Sequence, residues 1–139
     1  MKLKAIQVNK FGGPEVLEWS DTNIKEINQD QILIKVLSAG VNPIDAKIRE
    51  GGSFVAKTLK LPSGIGYDIC GEVVKKGDNV SEFSVGNIVM GRISNYHMPG
   101  SYSEYCIIDP KDVVKKPKEL KNIEAGALSL VGITAWQGL

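Results

Sequence analysis

One histidine and two cysteines in 139 residues leave little material for a metal centre. Cys70 and Cys106 are too few and too far apart to form a ligand pattern. His97 has no cysteine near it, and one histidine cannot make a zinc site. Each cysteine sits in an apolar, strand-like run, which reads as a buried free thiol, and a disulfide is not expected in a reducing compartment. Long apolar runs are absent too: none approaches the ~18 residues a membrane span needs. Met1–Lys10 alternates charged and apolar residues without the apolar stretch of a signal peptide. The expectation is a cytoplasmic protein that does not engage a membrane. No charge of one sign dominates, with 17 basic residues against 16 acidic ones. A nucleic-acid partner would ask for a basic excess or stripe. Finally, no G-x-G-x-x-G run occurs, so nothing here cradles a pyrophosphate in the usual way.

What is present suits one domain. Its composition is ordinary, 42% hydrophobic and 24% charged, and a chain of this size buries roughly 68–70% of its unfolded surface. Most segments read as short strands. Lys4–Val8 and Val16–Trp19 flank the turn signal Phe11-Gly12-Gly13-Pro14. In Gln31–Ala39, Ile32, Ile34 and Val36 share one face and Lys35 lies on the other. Ile69–Lys75 and Ile88–Ile93 are β-branched runs, with turns at Lys76–Asn79 and Ser84–Asn87. Ser101–Ile108 is a further strand, closed by Asp109-Pro110. Short strands with glycine-rich turns predict a mainly β fold with short helices, a small barrel or sandwich. Pro43–Glu50 is helical, with Ile44 and Ile48 one turn apart and Gly51-Gly52 ending it. Asn122 is placed to cap a second helix, with Glu124 in its first turn. A third begins near Thr134 and runs to Leu139.

The segment SAGVNPIDAKIREG carries the strongest strand into the first helix. Gly40 lets the chain turn where a Cβ would clash. Asn42, at the strand-to-helix junction, reads locally as a turn or cap residue, although such junctions also hold functional side chains. Asp45 and Lys47 on the short helix read as a solvated face.

The runs KAIQVNKFGGPEVLEW, SAGVNPIDAKIREG, GYDICGEVVKKG, VGNIVMG, GSYSEY and LVGITAW, taken in order, cover nearly the whole chain. Together they resemble the medium-chain dehydrogenase/reductase superfamily, most closely its zinc-free quinone oxidoreductase branch. The resemblance implies a GroES-like catalytic domain, a partly open β-barrel, over residues 1–121. Residues 122–139 would then be a helical crossover to a Rossmann domain that binds NADPH and is absent from these residues. It also implies a homodimeric full-length protein.

Within that resemblance, Asn42 stands where zinc-dependent members have cysteine, and Tyr67-Asp68 stands where they have a His-Glu pair. Asn amide and Tyr phenol are poor zinc ligands beside thiolate and imidazole. The cysteine-rich lobe expected near Arg92–Tyr96 is missing as well. No metal is therefore expected, and His97 is expected on a loop at the cleft rim. Without a metal as Lewis acid, the chemistry implied is hydride transfer to an activated acceptor, a quinone or an enone. Tyr67 is the expected hydrogen-bond donor to the carbonyl oxygen, against a packing role on Ile65 and Ile69. Asn42 would orient the nicotinamide or the substrate. Thr134 matches a position that approaches the nicotinamide, against a helix residue bonding its own i−4 carbonyl. The family pattern makes Asp45 structural.

Ile65 replaces a frequent proline, which suggests a looser loop, while Asn87 and Ser103 replace a usual Asp and Ala. The fragment by itself is expected to be inactive. The rival expectation is a freestanding GroES-like module that binds a small molecule or partner without catalysis. The Leu128–Leu139 segment, with apolar Leu128, Leu130, Val131, Ile133 and Trp136, is expected to be mobile or to bury itself against another copy of the chain, unless it folds back over its own core.

Overall fold

The computed structural model describes residues 1–94 and 99–139. His97 therefore lies outside the described residues. Two antiparallel sheets form the frame. The smaller has the order β2-β1-β4, built from β1 (Lys2–Val8), β2 (Leu17–Asn23) and β4 (Ser63–Gly64). The larger has the order β7-β3-β5-β6-β8, built from β3 (Ile32–Ser38), β5 (Asp68–Lys76), β6 (Ile88–Arg92), β7 (Tyr105–Ile108) and β8 (Val113–Lys115). The fold is GroES-like and mainly β, and its sheets are not closed into a barrel.

β3 shows how the sequence produces this arrangement. Ile32 and Ile34 point into the main core with Ile69, Val73 and Val89. Leu33, on the opposite face, packs with Leu3, Ala5 and Ile24 and so ties the smaller sheet to the larger. A β-branched run buried on one face and half-covered on the other is well suited to a central strand. Register shifts between Leu33 and Ile34 and between Val36 and Ser38 mark irregularities against β5. Bulges of this kind bend a strand and redirect the chain beyond them. Here they precede the turn into helix α1 (Pro43–Arg49).

Several expected elements shift. Val16 belongs to a 3-10 turn, Pro14–Val16, and its strand runs on to Asn23 because β2 pairs with β1 along its whole length. Only Tyr105–Ile108 of the expected Ser101–Ile108 strand pairs with β3, while Ser103 makes an isolated bridge to Ala5. β4 and β8 escape sequence reading because they hold two and three residues and draw their regularity from their neighbours. The second and third helices are one, α2 (Asn122–Gly138). Lys121, not Asn122, is its N-cap; its backbone N–H donates to the Glu124 carboxylate at 2.8 Å.

α2 sits on the larger sheet by its first turns. Ala125 packs with Cys70 and Met90. Residues 131–139 are all exposed, Trp136 to 80%. The last two turns of the helix therefore do not cover the chain's own core. No helix among the described residues is long and apolar enough to cross a membrane.

Candidate functional site

Asn42 caps α1 from an extended backbone (φ −123°, ψ 152°), with Pro43 opening the helix. Its backbone N–H donates to Asp45 Oδ2 at 2.8 Å. The Tyr102 hydroxyl lies 2.9 Å from the same oxygen and 3.2 Å from the Gly40 carbonyl. Asp45 is thus structural rather than a solvated helix residue, and it is buried. Burial raises its carboxyl pKa, the Asn42 N–H and Tyr102 hydroxyl oppose that rise, and the neighbouring Asp68 charge adds to it. Burial, followed by the Asp45 charge, pushes the Tyr102 phenol upward as well. Tyr102 therefore stays a neutral donor at any ordinary pH.

The Asn42 side chain is fixed separately. Its Nδ2 donates to Asp68 Oδ2 at 3.0 Å, and Asp68 Oδ1 accepts the backbone N–H of Leu130 at 2.7 Å. Asp68 is fully buried at the start of β5. One carboxylate thus joins the N-cap of α1, the start of β5 and the middle of α2. Because Nδ2 faces a carboxylate, the Asn42 amide presents Oδ1 as its remaining acceptor.

Close backbone approach makes this possible. A Cβ on Gly40 would stand 2.7 Å from the Gly126 carbonyl and 2.9 Å from Asp68 Oδ2. A Cβ on Gly126 would meet Ser38 Oγ at 2.3 Å. The Gly40 turn inferred from sequence is therefore a contact surface for α2.

Tyr67 is set by the turn before β5, where Gly66 has φ +99°, a conformation that favours glycine. Backbone hydrogen bonds tie this turn to the segments beside it. The Ile65 carbonyl accepts Tyr102 N–H, the Gly66 carbonyl accepts Ser101 N–H, and the Tyr67 carbonyl accepts Ile93 N–H. Thr134 Oγ1 donates to Leu130 O at 2.8 Å, the i−4 bond open to any threonine within a helix. The hydroxyl oxygen keeps lone pairs for a ligand donor.

Asn42, Tyr67 and Thr134 all line one cleft of about 510 Å³. Pro43 and Ile44 of α1, Arg92 at the end of β6, and Leu130, Val131 and Ala135 of α2 complete it. A mostly apolar cleft with a few converging polar groups has the character of a small-molecule site. Sequence reading gave no role to Asp68, which holds Asn42 from behind the cleft, or to Arg92, which lines it. Asp68 is an acid opening an apolar run, a signal that it needs buried partners. Arg92 is a charge closing another such run. Among the described residues, no three His, Cys, Asp or Glu side chains are grouped to hold a metal.

Residues 28–118 match the model of the alcohol dehydrogenase GroES-like domain. The chain belongs to that family. This GroES-like domain is 38% identical to an NADPH-dependent alkenal/one oxidoreductase of Arabidopsis thaliana, over 99% of this chain and 37% of that protein. Its fold superposes on the quinone oxidoreductase from Coxiella burnetii with a TM-score of 0.95 and 42% identity, covering 100% of this chain and 44% of that one. The Escherichia coli quinone oxidoreductase complexed with NADPH matches with a TM-score of 0.88 and 29% identity, covering 98% of this chain and 40% of that one. The resemblance to quinone oxidoreductases of the medium-chain dehydrogenase/reductase superfamily therefore holds. This GroES-like domain spans about two fifths of the length of these relatives.

Proposed function

We propose that this domain forms the acceptor side of a zinc-free, NADPH-dependent oxidoreductase that reduces a quinone or an enone. The observation that carries it is the convergence of Asn42, Tyr67 and Thr134, from three separate elements, on one apolar cleft. Relatives that use NADPH on alkenals or alkenones, or that act on quinones, support the choice of reaction.

The donor and acceptor pattern fits a nicotinamide. A carboxamide offers N–H donors, and Asn42 Oδ1 and the Thr134 hydroxyl oxygen are acceptors beside the cleft. When bound, NADPH supplies the hydride. Tyr67 donates a hydrogen bond to the acceptor oxygen as negative charge gathers there, the kind of preorganised stabilisation that lowers a barrier. Its phenol works as a hydrogen-bond donor, and solvent delivers the proton. Leu130, Val131 and Ile44 make the surroundings of that hydrogen bond less polar and so strengthen it. Asn42 and Tyr67 offer no thiolate or imidazole, so the cleft performs this reduction without zinc.

Residues 122–139 act as the crossover to a nucleotide-binding domain, whose surface covers the exposed apolar side of α2. The whole protein is a cytoplasmic homodimer.

The protein as its gene encodes it should oxidise NADPH when given a quinone or an enone, followed by NADPH absorbance. Tyr67→Phe should lower kcat with little change in KM, on the order of tenfold or more for one lost transition-state donor. The isolated 139-residue chain should show no turnover, because pyrophosphate is held by a helix N-terminus and glycine turn of the second domain. Failure of the intact protein to oxidise NADPH with either acceptor class would overturn the reading.

A further inference from the structure

Arg92 is the only charged side chain lining the cleft among the described residues. It closes β6 and stands in register opposite Asp68 on β5. Opposed residues on antiparallel strands share a face, so Asp68 is its natural counter-ion. The two do not pair. Asp68 spends its oxygens on Asn42 and on the Leu130 N–H. The ion pairs among the described residues all lie elsewhere. Asp112, across the edge of the sheet, accepts both the hydroxyl and the N–H of Ser94. The sequence from Ile93 to Ser103 holds no acidic residue.

A guanidinium stays charged at any working pH and offers planar donors that match carboxylate and phosphate oxygens. Beside apolar walls its attraction for an anion is less screened than in open water. We propose that Arg92 is a specificity-determining residue of the cleft: it binds an anionic oxygen group, carboxylate or phosphate, on the molecule held there. The oxidoreductase reading enters only in naming the two molecules that could carry that group, the acceptor and the nicotinamide nucleotide.

The test is a titration of the protein as its gene encodes it, followed by NMR, with two probe pairs that differ in charge. One pair is a benzoquinone carboxylate and its methyl ester. The other is reduced nicotinamide mononucleotide and reduced nicotinamide riboside, whose dihydropyridine ring carries no charge. In at least one pair the anionic member should bind about tenfold more tightly, as expected for a charge-assisted hydrogen bond. Arg92→Gln should abolish that preference and leave the neutral member's affinity unchanged, and Arg92→Lys should retain part of it. A preference in the quinone pair places the anion on the acceptor, and one in the nucleotide pair places it on the cofactor phosphate. Binding of charged and neutral members with equal affinity overturns the role of Arg92 while leaving the oxidoreductase reading intact. So does a preference that survives Arg92→Gln. Binding by none of the four probes overturns both.

Discussion

Asn42 Nδ2 and Asp68 Oδ2 stand 3.0 Å apart, joining two residues separated by 26 positions in the chain. The other Asp68 oxygen holds α2 through the Leu130 N–H at 2.7 Å. A single carboxylate therefore sets the Asn42 amide and the helix that carries Thr134. Removing it leaves one buried and one half-buried donor without this acceptor, at a cost of about 1–3 kcal/mol for the buried one. Asp68→Ala should lower stability by about 2–5 kcal/mol in urea unfolding. Asp68→Asn should cost less, because its amide oxygen can still accept one of the two bonds. In amide hydrogen exchange, Leu130 should lose protection in Asp68→Ala. Unchanged protection there would mean the contact does not anchor α2.

The glycine pair at the same crossing makes a contrast with a third glycine. Gly40→Ala and Gly126→Ala each drive a methyl into atoms closer than 3.0 Å, and overpacking of this kind typically costs about 1–3 kcal/mol. Gly132, on the exposed part of α2, has nothing within 4 Å of a built Cβ. Gly132→Ala should be neutral or stabilise by up to about 1 kcal/mol through helix propensity. Thermal unfolding of the three variants should separate them cleanly, with the first two below wild type and the third not.

Stability should decline on the alkaline side. Burial pushes the Cys106 thiol from 9.0 up to about 12. Between those values the folded chain keeps a proton that the unfolded chain has lost, so folding weakens as pH rises through that window. Cys70 and Tyr102 shift in the same direction for the same leading reason. Urea midpoints should fall above pH 9.0, less steeply in Cys106→Ala. Native protein should react slowly with thiol reagents and rapidly once unfolded. Fast labelling of Cys106 in the native state would contradict its burial.

Zinc favours thiolate or imidazole, whereas Asn42 and Tyr67 offer an amide and a phenol. Purified protein should contain zinc well below one equivalent per chain by elemental analysis. Adding a chelator should leave both the melting temperature and any NADPH oxidation unchanged. Stoichiometric zinc would require a ligand set other than the one proposed.

The sequence by itself determined the fold class and the place of most strands. Alternating and β-branched runs such as Gln31–Ala39 and Ile69–Lys75 carry their own burial pattern, and glycine-rich turns divide them. It also singled out Asn42, Tyr67 and Thr134, although only tertiary structure brings those residues to one cleft. Strands as short as β4 and β8 were not legible, since their pairing comes from neighbours rather than from their own residues. Nor was the continuity of α2, because apolar residues all round it gave no clear break or face. Above all, tertiary structure decided what Asp68, Arg92 and Gly40 do. A buried acid takes its meaning from the donors that reach it, an arginine from the carboxylates that do not, and a glycine from the backbone pressed against it. Those are distances across the chain, and local sequence does not encode them.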